Sequence, residues 1–249
     1  MSLTNLDRAI DESLSASPRL SESMSVFDVA SGCNLVLGTP RAAPDLWIEY
    51  LDGARRLYAA HGVSTALDYD AVVPGDTTTL FYVAVDSSGA VRGGHRAQGP
   101  YRDVRDSHAL AEWGADEARG QLIRAIESRL AFGVVEMKTA WVDPAVGDPG
   151  AVSALLARVA IPTMTTTGAR FIMATAAEHV LRRWSSSGGR VDKRVADTPY
   201  PDQRYRTSLM WWDRETMLRL ADPAVWRLIR EEALVWQRVV TETANRSVA

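Results

Sequence analysis

The chain has 249 residues, with 28 Lys and Arg against 31 Asp and Glu and a formal net charge of -3. That length allows one large domain or two small ones, and a charge this balanced gives no general support to nucleic-acid binding, leaving only a local patch open. Hydrophobic residues at 46% and charged residues at 24% suit a globular protein. The single cysteine, Cys33, excludes an internal disulfide, and no Cys/His cluster has structural-zinc spacing.

The opening stretch, MSLTNLDRAIDESLSASPRL, lacks a basic region followed by an apolar core, so it does not read as a secretory signal. No window approaches the ~18 apolar residues of a membrane span. The expected location is the cytoplasm. Residues 1–24 are polar and Ser-rich and are expected to form an arm or a short helix. Ser25–Leu37 reads as two strand-like runs broken near Ser31-Gly32. Pro44–His61 is predicted helical. Leu46, Trp47, Tyr50, Leu51, Ala54, Leu57 and Tyr58 follow an i, i+3, i+4 pattern, with Gly62 at the C-cap.

Thr77–Val85 is β-branched and aromatic and predicts a strand, Asp86–Gly89 a turn, and Ala90–Arg96 the returning strand. The pair Gly93-Gly94 inside that strand suggests a bulge or a close backbone approach. Ser107–Leu130 turns helical. Gly133–Pro144 (GVVEMKTAWVDP) reads as a buried strand interrupted by Glu136 and Lys138, which share one face because they are two apart. Carboxylates and ammonium groups are rarely buried without a partner or a task. Two readings stand side by side: a salt bridge on a wet face, or the floor of an active site with Glu136 as an acid/base residue.

A Gly/Pro stretch then leads into a helix from about Ala151 that Pro162 limits. Ala169–Ala174 predicts a strand, Thr175–Trp184 a helix, Tyr205–Trp212 a last strand, and residues 213–249 two helical pieces broken at Asp222-Pro223. The layout is α/β with one mixed sheet. The expected division is the arm at 1–24, one domain over 25–213, and C-terminal helices at 214–249 packed on it.

No dinucleotide fingerprint, Walker A sequence, GxSxG elbow or HExxH occurs. The four histidines are dispersed. His95 differs from the rest because it neighbours Arg96 and the Gly pair on a strand.

The order of elements over about residues 45–213, with some of the spelling, resembles GNAT-type N-acyltransferases. More narrowly it is similar to the branch of acyl-homoserine lactone synthases and N-acyl amino acid synthases. The resemblance rests on the helix carrying Arg55 and Tyr58, the acidic loop with Asp68 and Asp70, and the hairpin FYVAVDSSGAVRGGHR from Phe81 to Arg96. It also rests on Glu136 in the fourth strand of the family and on MATAAEHVLRRWSSSGG from Met173. It implies a mixed, mostly antiparallel sheet flanked by helices. It also implies acyl transfer from an acyl-CoA or acyl carrier protein to the amine of a small acceptor such as an amino acid, with no tightly bound cofactor and no metal.

By the same resemblance Glu136 is the candidate base. Arg55, Tyr58, Asp68, Asp70, Arg96, Lys138 and Trp141 are candidates for the acceptor side, and Val142, Gly150 and Ala151 for the donor. Lys138 and Thr139 stand where the branch has Ser and Arg, and the phosphate loop of typical acetyltransferases is absent after Trp141. These departures favour a carrier-protein donor or a differently held acyl-CoA, and they speak against S-adenosylmethionine. The alternative is a non-catalytic protein on this fold that binds an acyl ligand or a partner.

Overall fold

The computed structural model describes residues 23–114 and 117–246, with side chains up to 236. The expected N-terminal arm therefore lies outside the described residues, apart from Ser23 and Met24.

Among the described residues one sheet has eight strands in the order β1-β2-β3-β4-β5-β6-β8-β7. They are β1 (Met24–Asp28), β2 (Cys33–Gly38), β3 (Leu80–Val85), β4 (Val91–Gln98), β5 (Val134–Val142), β6 (Phe171–Ala177), β7 (Arg190–Val191) and β8 (Thr207–Asp213). Every pairing is antiparallel except β5 with β6, which is parallel. The predicted break at Ser31-Gly32 is the β1–β2 turn.

The helices are α1 (Pro44–Ala60), α2 (Tyr69–Val72), α3 (Ala109–Glu112), α4 (Glu117–Leu130), α5 (Pro149–Leu156), α6 (Ala160–Thr167), α7 (Leu181–Ser186), α8 (Met217–Leu220) and α9 (Pro223–Arg246). Pro44 begins α1, where its missing N–H costs nothing, and Gly62 follows its end at φ 68. Pro162 does not end a helix as expected. It sits in the first turn of α6, the place where a helix tolerates proline. The predicted helix Thr175–Trp184 starts late, because β6 runs on to Ala177 against β8.

Alternation along the strands builds a three-layer molecule. One sheet face carries Phe81, Val83 and Trp141 under α1, and Val134, Phe171, Met173 and Trp211 under α3 and α4. The other carries Leu35, Tyr82, Val135, Met137, Ile172 and Trp212, covered by α5, α6 and α9. No described helix is long and apolar enough to cross a membrane.

Candidate functional site

The site grows from an irregularity in β5. Gly94 pairs with Trp141 and Arg96 with Lys138, so Thr139 and Ala140 together oppose His95. This is a β-bulge, and it puts Thr139 at φ 56, a left-handed conformation that β-branched residues rarely adopt. Two tyrosines of α1 take the carbonyls there: Tyr50 donates to Thr139 O at 2.8 Å and Tyr58 to Ala140 O at 3.4 Å. The parallel pairing with β6 extends only to Met137 opposite Ala174. Beyond it the two strands part.

Close approach explains the glycines around the bulge. A Cβ on Gly94 would lie 2.5 Å from Tyr82 O, and one on Gly53 would lie 2.2 Å from the Trp141 ring. Trp141 therefore packs directly on the α1 backbone, and its Nε1 donates to Tyr50 O.

A cavity of about 450 Å³ opens where β5 and β6 separate. It is lined from both faces of the sheet. Tyr58, Glu112, Lys138 and Tyr200 come from one side, and Leu156, Ala157, Val180 and Trp184 from the other.

The charged wall is a buried network. Lys138 Nζ lies 2.6 Å from Glu112 Oε1, 2.7 Å from His108 Nδ1 and 3.3 Å from Glu136 Oε1. His108, Glu112 and Glu136 offer ligand atoms within 4.8 Å of one another, the arrangement of a metal site. The Lys138 ammonium touches all three, so the cation they surround is a side chain of the protein. Burial works against its charge, but the two carboxylates outweigh burial and hold it above the usual lysine range. Burial likewise pushes the Glu112 carboxyl up, but the Lys138 charge and the His108 contact prevail and bring it to about 2.

Glu136 lies fully buried behind this wall. Its Oε2 accepts hydrogen bonds from the Tyr101 hydroxyl at 2.6 Å, the Ser107 hydroxyl at 2.9 Å and the His108 N–H at 3.1 Å. Burial and the Glu136 charge raise the Tyr101 hydroxyl well above the usual tyrosine range, which keeps it a donor. The structure does join Glu136 and Lys138 on one face in an ion pair, but Lys138 and Glu112 meet the cavity and Glu136 does not.

The remaining expected residues divide. Tyr58, Trp141 and Val142 line the cavity. Arg96 is buried beside Lys138 in the ladder, with only Thr78 and Gln98 as weak acceptors and its Nε unpartnered. Arg55, Asp68 and Asp70 stay outside the cavity. Arg55 is exposed, pairs with Asp52 at 2.9 Å rather than with Asp68 or Asp70, and lies over the Tyr69 ring. Asp68 caps α2 by accepting from Ala71 N–H, and Asp70 is exposed.

Gly150 and Ala151 do stand at the start of α5, but Asp148 caps that helix, its carboxylate accepting the Ala151 N–H at 2.9 Å. Arg183 donates to Gly150 O beside it. The sequence reading missed Tyr101, Ser107, His108, Glu112 and Tyr200. Only the i, i+4 spacing of His108 and Glu112 carried a signal, and a loop and a short helix bring them to β5.

The strand order, the single parallel pair and the opening beside it define a GNAT-like fold. Solved structures share it. FeeM, an N-acyl amino acid synthase from uncultured soil microbes, superposes with a TM-score of 0.52 at 12% identity, over 72% of this chain and 97% of that one. TofI, in a ternary complex with an inhibitor and MTA, gives 0.51 at 14%, over 82% and 99%. No protein-family model matches the sequence.

The chain belongs to one family with the uncharacterized proteins Rv1356c of Mycobacterium tuberculosis (strain ATCC 25618 / H37Rv) and Mb1391c of Mycobacterium bovis (strain ATCC BAA-935 / AF2122/97). Each is 44% identical over 203 residues, covering 82% of this chain and 77% of the relative.

Proposed function

We propose that the protein is an N-acyltransferase that moves an acyl group from a thioester donor, acyl-CoA or acyl carrier protein, to the amine of a small acceptor such as an amino acid. The observation that carries this reading is the cavity at the parting of β5 and β6, apolar on one face of the sheet and charged on the other. The apolar side suits an acyl chain and the charged side a zwitterionic acceptor. The acceptor nitrogen attacks the thioester carbonyl, the C–N bond forms, the C–S bond breaks, and the thiolate leaves with a proton.

Lys138 and Arg96 supply positive charge for the acceptor carboxylate, with Arg96 behind Lys138. Glu112 Oε2 has no hydrogen-bond partner, so in this reading it holds the acceptor ammonium and takes a proton from it before the freed lone pair attacks, its carboxyl rising from about 2 as the acceptor carboxylate draws the Lys138 charge away from it. Glu136, the candidate from sequence, takes the role of anchoring Lys138.

The test is thiol release from a panel of acyl-CoA and acylated carrier donors with a panel of amino acids. The expected result is turnover that Glu112→Gln lowers by ~10²-fold or more, the usual size of general-base effects, and that Glu136→Gln lowers less. Full turnover by Glu112→Gln removes the assignment of the base. Release that never exceeds background with any pair removes the enzyme reading. A non-catalytic acyl-binding protein is the second reading, favoured by Asp148. Its carboxylate occupies the helix start at which a donor pyrophosphate would otherwise bind.

A further inference from the structure

We propose that the acyl pocket ends on His95, whose imidazole selects acyl chains carrying an uncharged hydroxyl or keto oxygen over unsubstituted alkyl chains. This rests on the acyltransferase reading and names the class of acyl group it takes.

His95 is 2% exposed, and neither Nδ1 nor Nε2 has a hydrogen-bond partner. Buried polar side chains are nearly always satisfied, so both atoms need an explanation. The ring lies among apolar groups, 5.4 Å from the Tyr82 ring and 6.3 Å from Trp184. The Tyr82 hydroxyl is committed elsewhere, to Thr163 at 2.9 Å. Leucine or phenylalanine would suit such surroundings better if packing were the only demand.

The position of His95 is as informative as its isolation. It stands opposite the bulge at Thr139 and Ala140, on the sheet face that forms the apolar wall of the cavity. Beside it a pocket of about 10 Å³ adjoins the main cavity, and the two share Met137, Leu156, Ala157 and Trp184 as walls. That volume takes one water-sized group, a methyl or an oxygen rather than a length of chain, and the unpartnered imidazole favours the oxygen. Burial brings the imidazole to about 3, so it is neutral and offers one N–H donor and one lone pair. No opposite charge faces it, which argues for a hydroxyl or keto oxygen and against a carboxylate.

The experiment uses the full chain and acyl thioesters of one length, carried both on coenzyme A and on acyl carrier protein: unsubstituted, β-hydroxy, β-keto and ω-hydroxy. Binding is followed calorimetrically and the His95 ring by nitrogen NMR. At least one oxygenated thioester is expected to bind on the order of tenfold tighter than the alkyl one, the size of effect typical when a buried polar group gains its partner. The His95 ring resonance is expected to move with that ligand and stay put with the alkyl one, and His95→Leu is expected to bring the ratio to about one. Equal binding with an unmoved resonance, or a preference that survives His95→Leu, overturns the inference while leaving acyl transfer standing. If His95→Leu does not fold, the wild-type ratio and resonance decide alone. If no acyl thioester binds, the inference and the acyltransferase reading fall together.

Discussion

Lys138 shows how much one residue can set. Its ammonium is enclosed by Glu112, His108 and Glu136, so removing it leaves two carboxylates buried without their cation. Breaking such a pair from one side typically costs about 3–5 kcal/mol, and Lys138→Met is expected to lose that much in urea unfolding at pH 7. The sign of the pH dependence follows from the two shifts. Glu112 is lowered from 4.5 to about 2, so its contribution is complete above pH about 4.5 and is lost as pH falls through 2. Lys138 is raised from 10.5, so its contribution is complete below that and is lost only as pH climbs through the higher folded value. In Lys138→Met burial is left to raise the Glu112 carboxyl, and the acid transition, followed by circular dichroism, is expected to move up in pH. An unchanged transition sinks this account. A protonated lysine also has no lone pair, so under the proposed acyl transfer the two carboxylates would keep this amine from competing with an acceptor amine for a thioester.

At the scale of elements, α1 and β5 meet through a missing side chain. Alanine in place of a helical glycine ordinarily gains about 0.5–1 kcal/mol. At Gly53 the new methyl would lie 2.2 Å from the Trp141 ring, so Gly53→Ala is expected to destabilise instead, by about 1–3 kcal/mol. Adding Trp141→Leu should recover most of the loss, and thermal unfolding of the four proteins in that cycle checks the coupling. Elements of this kind were legible from sequence where one periodicity ran long: α1 from its apolar stripe, β3 and β4 from β-branched residues around a turn, β5 from its apolar run. The β6 boundary was misread because Ala174, Ala176 and Ala177 have helical propensity, and pairing with β8 overrides it. Glu136 and Lys138 were legible as a pair because period two puts them together. Glu112 and His108 were not, because what joins them to β5 is packing over more than twenty residues of chain.

Across the whole molecule, the layers are tied by another buried cation. Arg158, 3% exposed, lies 2.7 Å from Asp28 of β1 and 2.7 Å from Glu232 of α9. Arg158→Ala is expected to cost about 3–5 kcal/mol, as for a broken buried pair. Arg170→Ala, whose pairs with Asp213 and Glu215 are more exposed, is expected to cost about 1 kcal/mol or less. Denaturant unfolding of both variants checks the contrast, and equal losses would mean that Arg158 is not what joins the layers. The cavity beside the bulge has a consequence at the same scale. Because it is lined from both faces of the sheet, the proposed donor and acceptor would reach it from opposite sides. Two molecules approaching from opposite faces need not pass one another to meet. Anything that joins them is longer than either, and it must withdraw through a gap whose width is set by two diverging strands.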